Sequence, residues 1–214
     1  MDLKAYKKII VFGGSFDPPQ LAHVQLPAMV LRAIRAQVVA YVPVARQPLK
    51  PEGPTASAEH RLEMLRLALA DASHAVIWTD ELDRAQDSSL YGPSYTVDTI
   101  ERMRQQVGEK PEIRFLIGAD QVHQFHKWYA WQRLIKMAEP IIMLRPPETQ
   151  ALLLASLPAQ LDKEQWQRYF IDVPTVSTSS TQIRQRCAQK QSITGLVPPA
   201  VEKYIGDRGL YQSC

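Results

Sequence analysis

Near its N-terminus the chain reads Ile9-Ile10-Val11-Phe12-Gly13-Gly14-Ser15-Phe16-Asp17-Pro18-Pro19-Gln20-Leu21-Ala22-His23. A β-branched and aromatic run ends at two glycines, and a Pro-Pro pair follows. Apolar residues at helical spacing then continue from Leu21 towards Ile34. This order predicts a strand, a tight loop and a helix, and the later part of the chain repeats the same alternation.

The loop of this first unit suits phosphate for two separate reasons. Gly13 and Gly14 lack a Cβ, so they can adopt positive φ and let the backbone approach a ligand. The next helix directs its free N–H groups at the same place, and His23, about one turn into it, can donate to a phosphate near neutral pH. Spacing alone also allows a plain strand-to-helix corner with a surface histidine, because Gly-Gly after a strand is common.

Composition limits the class of protein. The chain has 214 residues, 45% apolar content and a formal charge of +3, which predict one globular domain over 1–214 with a helical C-terminal part from about 176. Lys and Arg are scattered, which gives little support to nucleic-acid or membrane-surface binding, so we expect neither partner; a small anionic ligand fits the mild charge equally well. Two cysteines without a Cys-x-x-Cys pair favour a reducing, cytoplasmic setting, and no apolar run reaches the roughly 20 residues of a membrane span. The sequence leaves open whether the protein forms a homo-oligomer.

Strands and helices alternate along the whole chain. Residues 80–93 show no period and predict a long connection, after which Ser94 or Thr96 is expected to cap a helix. The pattern predicts an α/β fold with a doubly wound, mostly parallel, Rossmann-like sheet and its ligand crevice at the strand C-termini. The predicted strands are 9–12, 37–44, 75–78, 113–117, 140–145 and 169–173; one or two surface helices are expected in 148–167, and small helices close the chain.

Residues able to bind a nucleotide follow two of these strands. Lys50 lies in a proline-rich loop and is either a phosphate contact or a solvated lysine. Gly118 precedes Asp120, whose carboxylate can accept hydrogen bonds from ribose hydroxyls or serve as a helix N-cap. His123 and His126 continue the same helical face at three-residue spacing, but this pattern lacks a recognised zinc motif and is weak evidence for a metal.

Two further groups of residues lie later in the chain. Ser179 and Ser180 belong to a run of hydroxyl residues that leads into a helix with Arg184 one turn inside it. One helix needs only one cap, so the surplus hydroxyls predict a second anion site, with a Ser/Thr-rich loop as the alternative. Trp128 and Tyr129 belong to an aromatic cluster that either packs in the core or stacks on a ligand.

Taken in order and spacing, these motifs resemble those of bacterial nicotinate-nucleotide adenylyltransferases. The first and last motifs are typical of the wider nucleotidyltransferase superfamily, whereas Ser-Tyr-Thr and Trp128 narrow the resemblance to its pyridine-nucleotide branch. The resemblance covers nearly the whole chain and rests on Gly14-Ser15-Phe16-Asp17-Pro18 with His23, Pro48-Leu49-Lys50, Ser94-Tyr95-Thr96-x-Asp98-Thr99, Ile117-Gly118-x-Asp120, Trp128, Arg145-Pro146, and Ser179-Ser180-Thr181-x-Ile183-Arg184.

The resemblance implies a reaction in NAD biosynthesis. ATP and nicotinate mononucleotide would bind together, and the mononucleotide phosphate would attack the ATP α-phosphate in line. Deamido-NAD and pyrophosphate would leave, with Mg²⁺ on the phosphates and no metal ligand assigned to the protein. His23, Lys50 and Arg184 would be catalytic, because they would neutralise phosphate charge.

The resemblance also implies which residues contact each substrate. Trp128 would stack on the pyridine ring, while the backbone N–H groups of Thr96 and Tyr129 would receive its carboxylate. The ATP contacts implied are Gly13, Gly14, Ser15, Phe16, Gln20, His23, Gly118, Asp120, Ser179, Ser180 and Arg184; the acceptor contacts are Ser15, Lys50, Tyr95, Thr96, Trp128 and Tyr129.

The chain departs from the family pattern at two places. Where the family usually carries His-x-Gly-His, this chain has Gln20-Leu21-Ala22-His23, and Leu49 replaces the usual histidine before the lysine. Gln20 can donate a neutral hydrogen bond but cannot become cationic. The same chemistry on nicotinamide mononucleotide or another phosphorylated acceptor therefore stays open, as does a non-catalytic nucleotide-binding or regulatory protein.

Overall fold

A five-stranded parallel sheet forms the centre of the molecule. The computed structural model describes residues 3–46, 53–87, 92–144, 148–173 and 179–212. Every strand pair in these residues is parallel, and the order is β3-β2-β1-β4-β5. This confirms the predicted α/β sheet. The strands are β1 Lys8–Gly14, β2 Val38–Pro43, β3 Ala75–Ile77, β4 Glu112–Gly118 and β5 Glu139–Met143.

Helices connect the strands and cover the sheet. None of those in the described residues is long and apolar enough to cross a membrane. The helices are α1 Leu21–Ala33, α2 Ala58–Ala68, α3 Asp80–Gln86, α4 Thr96–Val107, α5 Ala119–Val122, α6 Trp131–Met137, α7 Gln150–Ala155, α8 Lys163–Gln167, α9 Ser180–Ala188 and α10 Pro199–Arg208.

The strand pleat divides the core between the two faces of the sheet. On β1, Ile9 and Val11 belong to one apolar cluster, whereas Ile10 and Phe12 belong to the other. Because successive strand side chains point to opposite faces, a strand covered on both sides needs an uninterrupted apolar run. A third cluster joins α2 to α9 and α10; the extent of a single domain over 1–214 stays a prediction.

Two expectations for the secondary structure are wrong. Within the supposed connection 80–93 the chain forms α3, which is too short to show a period. Its first turn has three acidic residues, which favour a helix start. Residues 169–173 form no strand: Phe170 makes one isolated bridge to Ile142. Tyr169 is still part of the turn after α8, since its N–H donates to the Trp166 carbonyl at 3.1 Å.

The helix caps and the surface helices also differ from the expectation. Neither Ser94 nor Thr96 caps α4, because its N-cap is Tyr95, which makes no side-chain cap bond. The Ser94 hydroxyl instead lies 3.5 Å from the Arg46 backbone N–H. The two helices in 148–167 are present as α7 and α8, yet Trp166 of α8 is fully buried rather than at the surface.

The strand order reverses between β1 and β4. Their pairing runs only as far as Val11 opposite Phe115, although the strands continue to Gly14 and Gly118. From β1 the chain moves outward through β2 and β3 and then crosses to β4 on the other side. Ligands of open parallel sheets bind where the strand order reverses in this way.

Candidate active site

The two glycines at the end of β1 keep extended strand geometry. They pair with Val42 and Pro43, and the positive φ expected of them occurs at Phe16 instead, with φ 48. The expectation was wrong because the strand continues through both glycines and the chain turns only afterwards. A Cβ on Gly14 would lie 3.1 Å from the Phe16 ring, whereas one on Gly13 would meet nothing within 4 Å. Gly14 therefore makes room for Phe16, and the Gly13 backbone is open to a ligand.

Gln20 holds the ring of His23 at the start of α1. The Gln20 backbone N–H donates to His23 Nδ1 at 3.2 Å, and the two Nε2 atoms also lie 3.2 Å apart. Because Nδ1 accepts, the neutral ring carries its proton on Nε2. Gln20 Oε1 is buried and makes no hydrogen bond to a described residue. Turning the amide over would let Oε1 accept from Nε2–H, the arrangement that satisfies both groups.

Aromatic rings fix the position of His23 further. Its ring lies edge-to-face with Phe12 and Phe16, at centroid distances of 5.8 and 5.3 Å. The Tyr41 hydroxyl donates to the His23 carbonyl at 3.0 Å, and burial raises the pKa of Tyr41, so this donor stays protonated. His23 is therefore held beside the loop that follows β1, and the neighbouring Gln20 is buried.

Asp17 is a buried anchor that the sequence did not single out. Its carboxylate accepts hydrogen bonds from the backbone N–H groups of Thr55 and Ala56 at 2.6 and 3.1 Å, and from the Tyr211 hydroxyl at 2.6 Å. Burial, then the contact with Asp17, raises the pKa of Tyr211, so the hydroxyl remains a donor. An aspartate among Phe and Pro residues was the only signal for this role.

The second predicted anion motif docks onto the first. Ser179 caps α9 by accepting from the Gln182 N–H at 3.2 Å. The Ser180 hydroxyl donates to the Pro18 carbonyl at 2.9 Å, and Arg184 Nη1 donates to the Asp17 carbonyl at 2.7 Å. The start of α9 therefore lies against the loop that follows β1.

Arg61 holds the loop after β1 in place through two hydrogen bonds. Its guanidinium, only 2% exposed, donates to the carbonyls of Ser15 and Val44 at 2.8 and 2.9 Å. It thereby joins the chain segments that leave β1 and β2. Burial lowers the pKa of Arg61 and the charge of Asp17 opposes that change. An arginine inside an apolar helical pattern was the available sequence signal.

Gly118 and Asp120 form a close pair at the end of β4. Gly118, not Asp120, is the N-cap residue of α5, so the capping alternative for Asp120 is wrong. An ideal Cβ on Gly118 would lie 2.5 Å from Asp120 Oδ1. The exposed Asp120 carboxylate therefore folds back over Gly118 and occupies space that only glycine leaves free.

Two of the residues implied for the acceptor, Tyr95 and Tyr129, come together at the start of α4. The rings of Tyr95 and Tyr129 lie 4.6 Å apart, and Tyr129 is 56% exposed. Trp128 is half-buried and lies 5.0 Å from the Phe125 ring. Trp128 thus packs against the core but is not enclosed by it, and Thr96 is the first residue of α4 beside Tyr95.

Some of the predicted residues are not described or make no site. Lys50 and the Arg145-Pro146 pair lie outside the described residues. Where the structure is described, no three His, Cys, Asp or Glu side chains are grouped so that they could hold a metal ion. His123 instead lies 3.9 Å from the carboxylate of Glu148.

Comparison with known proteins places this site in a family. The cytidylyltransferase-like family pattern matches residues 11–186. The chain is 35% identical over 205 residues to the "Probable nicotinate-nucleotide adenylyltransferase" of Staphylococcus epidermidis, covering 96% of this chain and 97% of that protein. It is also 35% identical to the protein of the same name from Bacillus pumilus, covering 97% and 100%.

A solved structure supports the fold. Nicotinic acid mononucleotide adenylyltransferase from Plasmodium falciparum, complexed with NaAD, superposes with a TM-score of 0.73 at 20% identity, over 97% of this chain and 98% of that one. At this identity the likeness establishes the fold alone, whereas the family pattern and the bacterial relatives cover almost the whole sequence. The chain belongs to the cytidylyltransferase-like family and, within it, to the nicotinate-nucleotide adenylyltransferases.

Proposed function

We propose that this protein transfers the AMP group of ATP to nicotinate mononucleotide, as a step of NAD biosynthesis. An oxygen of the mononucleotide phosphate attacks the α-phosphorus of ATP. The bond from that phosphorus to the oxygen bridging the β-phosphate breaks, and pyrophosphate leaves with this oxygen. The products are deamido-NAD and pyrophosphate. Two bacterial relatives at 35% identity carry the corresponding enzyme name.

The observation that carries the proposal is the docking of α9 on the loop after β1. The bonds of Ser180 to Pro18 and of Arg184 to Asp17 bring the start of α9 against the loop that leads into α1. Each helix start offers backbone N–H groups to an anion. A triphosphate and a second phosphate have to lie side by side in this reaction, so two adjacent anion sites suit it.

The residues of the crevice would act by position and charge. When ATP binds, His23 would donate from Nε2 to a phosphate in place of its bond to the Gln20 amide, and Arg184 would neutralise the phosphates together with Lys50. Gly13, Gly14, Ser15 and Phe16 would line the ATP phosphates, with Gly118 and Asp120 on the adenosine side. No covalent nucleophile is needed, because orientation and stabilisation of the developing charge can account for phosphoryl-type transfer.

The acceptor would bind where α4 begins. Trp128 would stack on the pyridine ring, and the backbone N–H groups of Thr96 and Tyr129 would receive its carboxylate. The adjoining rings of Tyr95 and Tyr129 support this placement, because they bring the two segments together. A carboxylate accepts two such bonds with its full charge, while an amide would turn its NH₂ donors towards N–H donors.

Magnesium would enter with ATP. Mg²⁺ commonly keeps several waters and binds through substrate phosphates and one or two carboxylates. The described residues fit that mode. The Asp17 carboxylate already accepts three hydrogen bonds, and the Asp120 carboxylate is exposed and so accessible to an ion held by the phosphates. When bound, the ion would neutralise phosphate charge.

The test is to identify the products. Purified protein is incubated with ATP, MgCl₂ and nicotinate mononucleotide, and deamido-NAD and pyrophosphate are measured over time by chromatography. We expect the two products in a 1:1 ratio, and neither when the mononucleotide is left out. ATP binding without any pyrophosphate release would contradict the proposal and identify a nucleotide-binding protein instead.

A further inference from the structure

The buried Asp17 carboxylate is the point at which three other parts of the chain meet the loop after β1. The side chain accepts hydrogen bonds from the backbone N–H groups of Thr55 and Ala56, which precede α2, and from the Tyr211 hydroxyl, which follows α10. Arg184 of α9 is the third neighbour: its Nη1 donates to the Asp17 backbone carbonyl at 2.7 Å and lies 3.8 Å from Oδ2. The direction of the Asp17 carboxylate therefore depends on residues from distant parts of the sequence.

The donors to Asp17 occupy both oxygens of its carboxylate. Oδ2 accepts from the Thr55 N–H at 2.6 Å, and Oδ1 accepts from the Ala56 N–H at 3.1 Å and from the Tyr211 hydroxyl at 2.6 Å. Asp17 is only 2% exposed, so these donors replace water and fix the plane of the carboxylate. Two of them are backbone groups, whereas the Tyr211 hydroxyl is a donor that one substitution removes without altering the backbone.

The C-terminal segment holds Tyr211 firmly in this position. Helix α10 ends at Gly209, whose left-handed φ of 60 is the usual way for a helix to stop. Tyr211 is also left-handed, with φ 62, a conformation that a residue other than glycine keeps only where its surroundings hold it. Tyr211 is 8% exposed and belongs to the same apolar cluster as Ile183 of α9. Packing therefore fixes the ring, and the hydroxyl is directed at Asp17.

Arg184 connects this buried contact to the proposed reaction. The side chain of Arg184 is 28% exposed, compared with 3% for Asp17, so a phosphate can reach the guanidinium while the carboxylate stays enclosed. The guanidinium is a rigid, planar fork of five N–H donors. Because one arm of the fork is bonded to Asp17, the position of Asp17 determines where the other N–H groups point.

The geometry points to Tyr211 as a positioning residue for ATP: we propose that its bond to the Asp17 carboxylate holds the Arg184 guanidinium in the direction that meets the ATP phosphates. The inference rests on the proposed function, in which Arg184 neutralises these phosphates. Tyr211 acts through Asp17 and Arg184 rather than by contact with ATP. Small displacements of groups that orient a substrate weaken its binding and reaction strongly.

The first measurement is the Kd of ATP in the presence of MgCl₂, by isothermal titration calorimetry without the mononucleotide and well below the Tm of each variant. Tyr211→Phe keeps the ring and removes only the hydroxyl, and we expect it to raise the Kd about tenfold. Tyr204→Phe is the matched control, because that hydroxyl lies on α10 and is bonded to His60 Nδ1 at 2.9 Å rather than to Asp17. The control should leave the Kd within about twofold of wild type.

A double variant distinguishes positioning of Arg184 from a general loosening of the fold. Arg184→Lys keeps the charge, so ATP binding stays measurable, but it removes the rigid fork that Asp17 orients. If Tyr211 acts through this fork, adding Tyr211→Phe to Arg184→Lys should raise the Kd for ATP by no more than about twofold further. Independent, additive losses would show that the hydroxyl does not act through Arg184.

Steady-state kinetics gives the second readout. In Tyr211→Phe the KM for ATP should rise about tenfold, while the KM for nicotinate mononucleotide stays within about twofold of wild type. An unchanged Kd for ATP, additive losses in the double variant, or an equal rise of both KM values would overturn this inference alone. A wild-type protein that binds ATP but makes no deamido-NAD would overturn the proposed function, and the Kd values would then still decide on Tyr211; a wild-type protein that binds no ATP would overturn both.

Discussion

The Arg184 guanidinium donates to the backbone carbonyl of Asp17 at 2.7 Å, although 167 positions separate the two residues. This bond fixes the start of α9 on the loop after β1, and the Asp17 side chain binds the C-terminal segment through Tyr211. The loop is thus held from two sides by residues of the last quarter of the chain. Truncation or distortion of that part would therefore disturb the proposed phosphate site directly.

His23→Ala is expected to slow turnover while the fold is kept. A positioned donor acts most strongly on the charge that develops in the transition state, so its loss should cost about 10²–10³ in kcat. The rate of deamido-NAD formation at saturating substrates measures this, and His60→Ala, a histidine that is bonded to the Tyr204 hydroxyl and is not among the proposed site residues, is the control. Near-normal turnover in correctly folded His23→Ala would remove His23 from the mechanism.

Gly118→Ala is expected to weaken ATP binding with little change in stability. Gly118 has φ −80 and ψ 159, which alanine adopts readily. The added Cβ would nevertheless displace the Asp120 carboxylate, which lies 2.5 Å from its ideal position. We expect the KM for ATP to rise about tenfold and the KM for the mononucleotide to stay near wild type. A change in Tm of many degrees with unchanged KM would show that the contact is structural only.

Tyr211→Phe is expected to destabilise the protein. The change removes one hydroxyl donor from the buried Asp17 carboxylate, which typically costs about 1–3 kcal/mol. Tyr204→Phe is a fair comparison, because its hydroxyl also has a partner, His60 Nδ1 at 2.9 Å, but at a more exposed place. Urea unfolding should show the larger loss for Tyr211→Phe, and equal losses would contradict a special role for the bond to Asp17.

Glu81 should make stability depend on pH in a defined direction. Burial raises its pKa above the ordinary value of 4.5, against the opposing effects of Thr99, Ser94, Ala45 and Arg102. The folded state therefore binds the proton more tightly than the unfolded chain, so the free energy of unfolding falls as pH rises from about 4.5 through the raised pKa. Glu81→Gln cannot titrate and should lack this fall. Parallel curves of unfolding free energy against pH for wild type and Glu81→Gln would contradict a raised pKa of Glu81 in the folded state.

The sequence predicted the sheet because the strands are buried on both faces. Runs such as Val38–Pro43 are apolar at every position, and a glycine or proline lies at or shortly after the end of β1, β2, β4 and β5. The motif after β1 and the motif that begins at Ser179 could also be assigned to the same edge of the sheet, since the C-terminal ends of parallel strands share one edge. These inferences need only local patterns and the rule of parallel topology.

The polar anchors of the site could not be predicted in the same way. Asp17, Arg61 and Glu81 have hydrogen-bond partners 17 to 39 positions away, and no local spacing indicates that a charged side chain will be buried. The short helix α3 was missed because seven residues are too few to show a period. Phe16 takes the positive φ expected of the glycines, because its ring packs over Gly14 in the folded protein.

The most direct test of the central claim compares nicotinate and nicotinamide mononucleotide as acceptors. Two N–H donors around the ring substituent should favour the carboxylate by roughly 1–3 kcal/mol for each buried group left unpaired by the amide. The measurement is kcat/KM for both mononucleotides at saturating ATP and Mg²⁺, in wild type and in Trp128→Ala. We predict that wild type prefers the nicotinate form by about tenfold to more than a hundredfold, and that Trp128→Ala lowers kcat/KM for both. Equal use of both acceptors by wild type would contradict the carboxylate pocket, and an unaffected Trp128→Ala would return that tryptophan to the core.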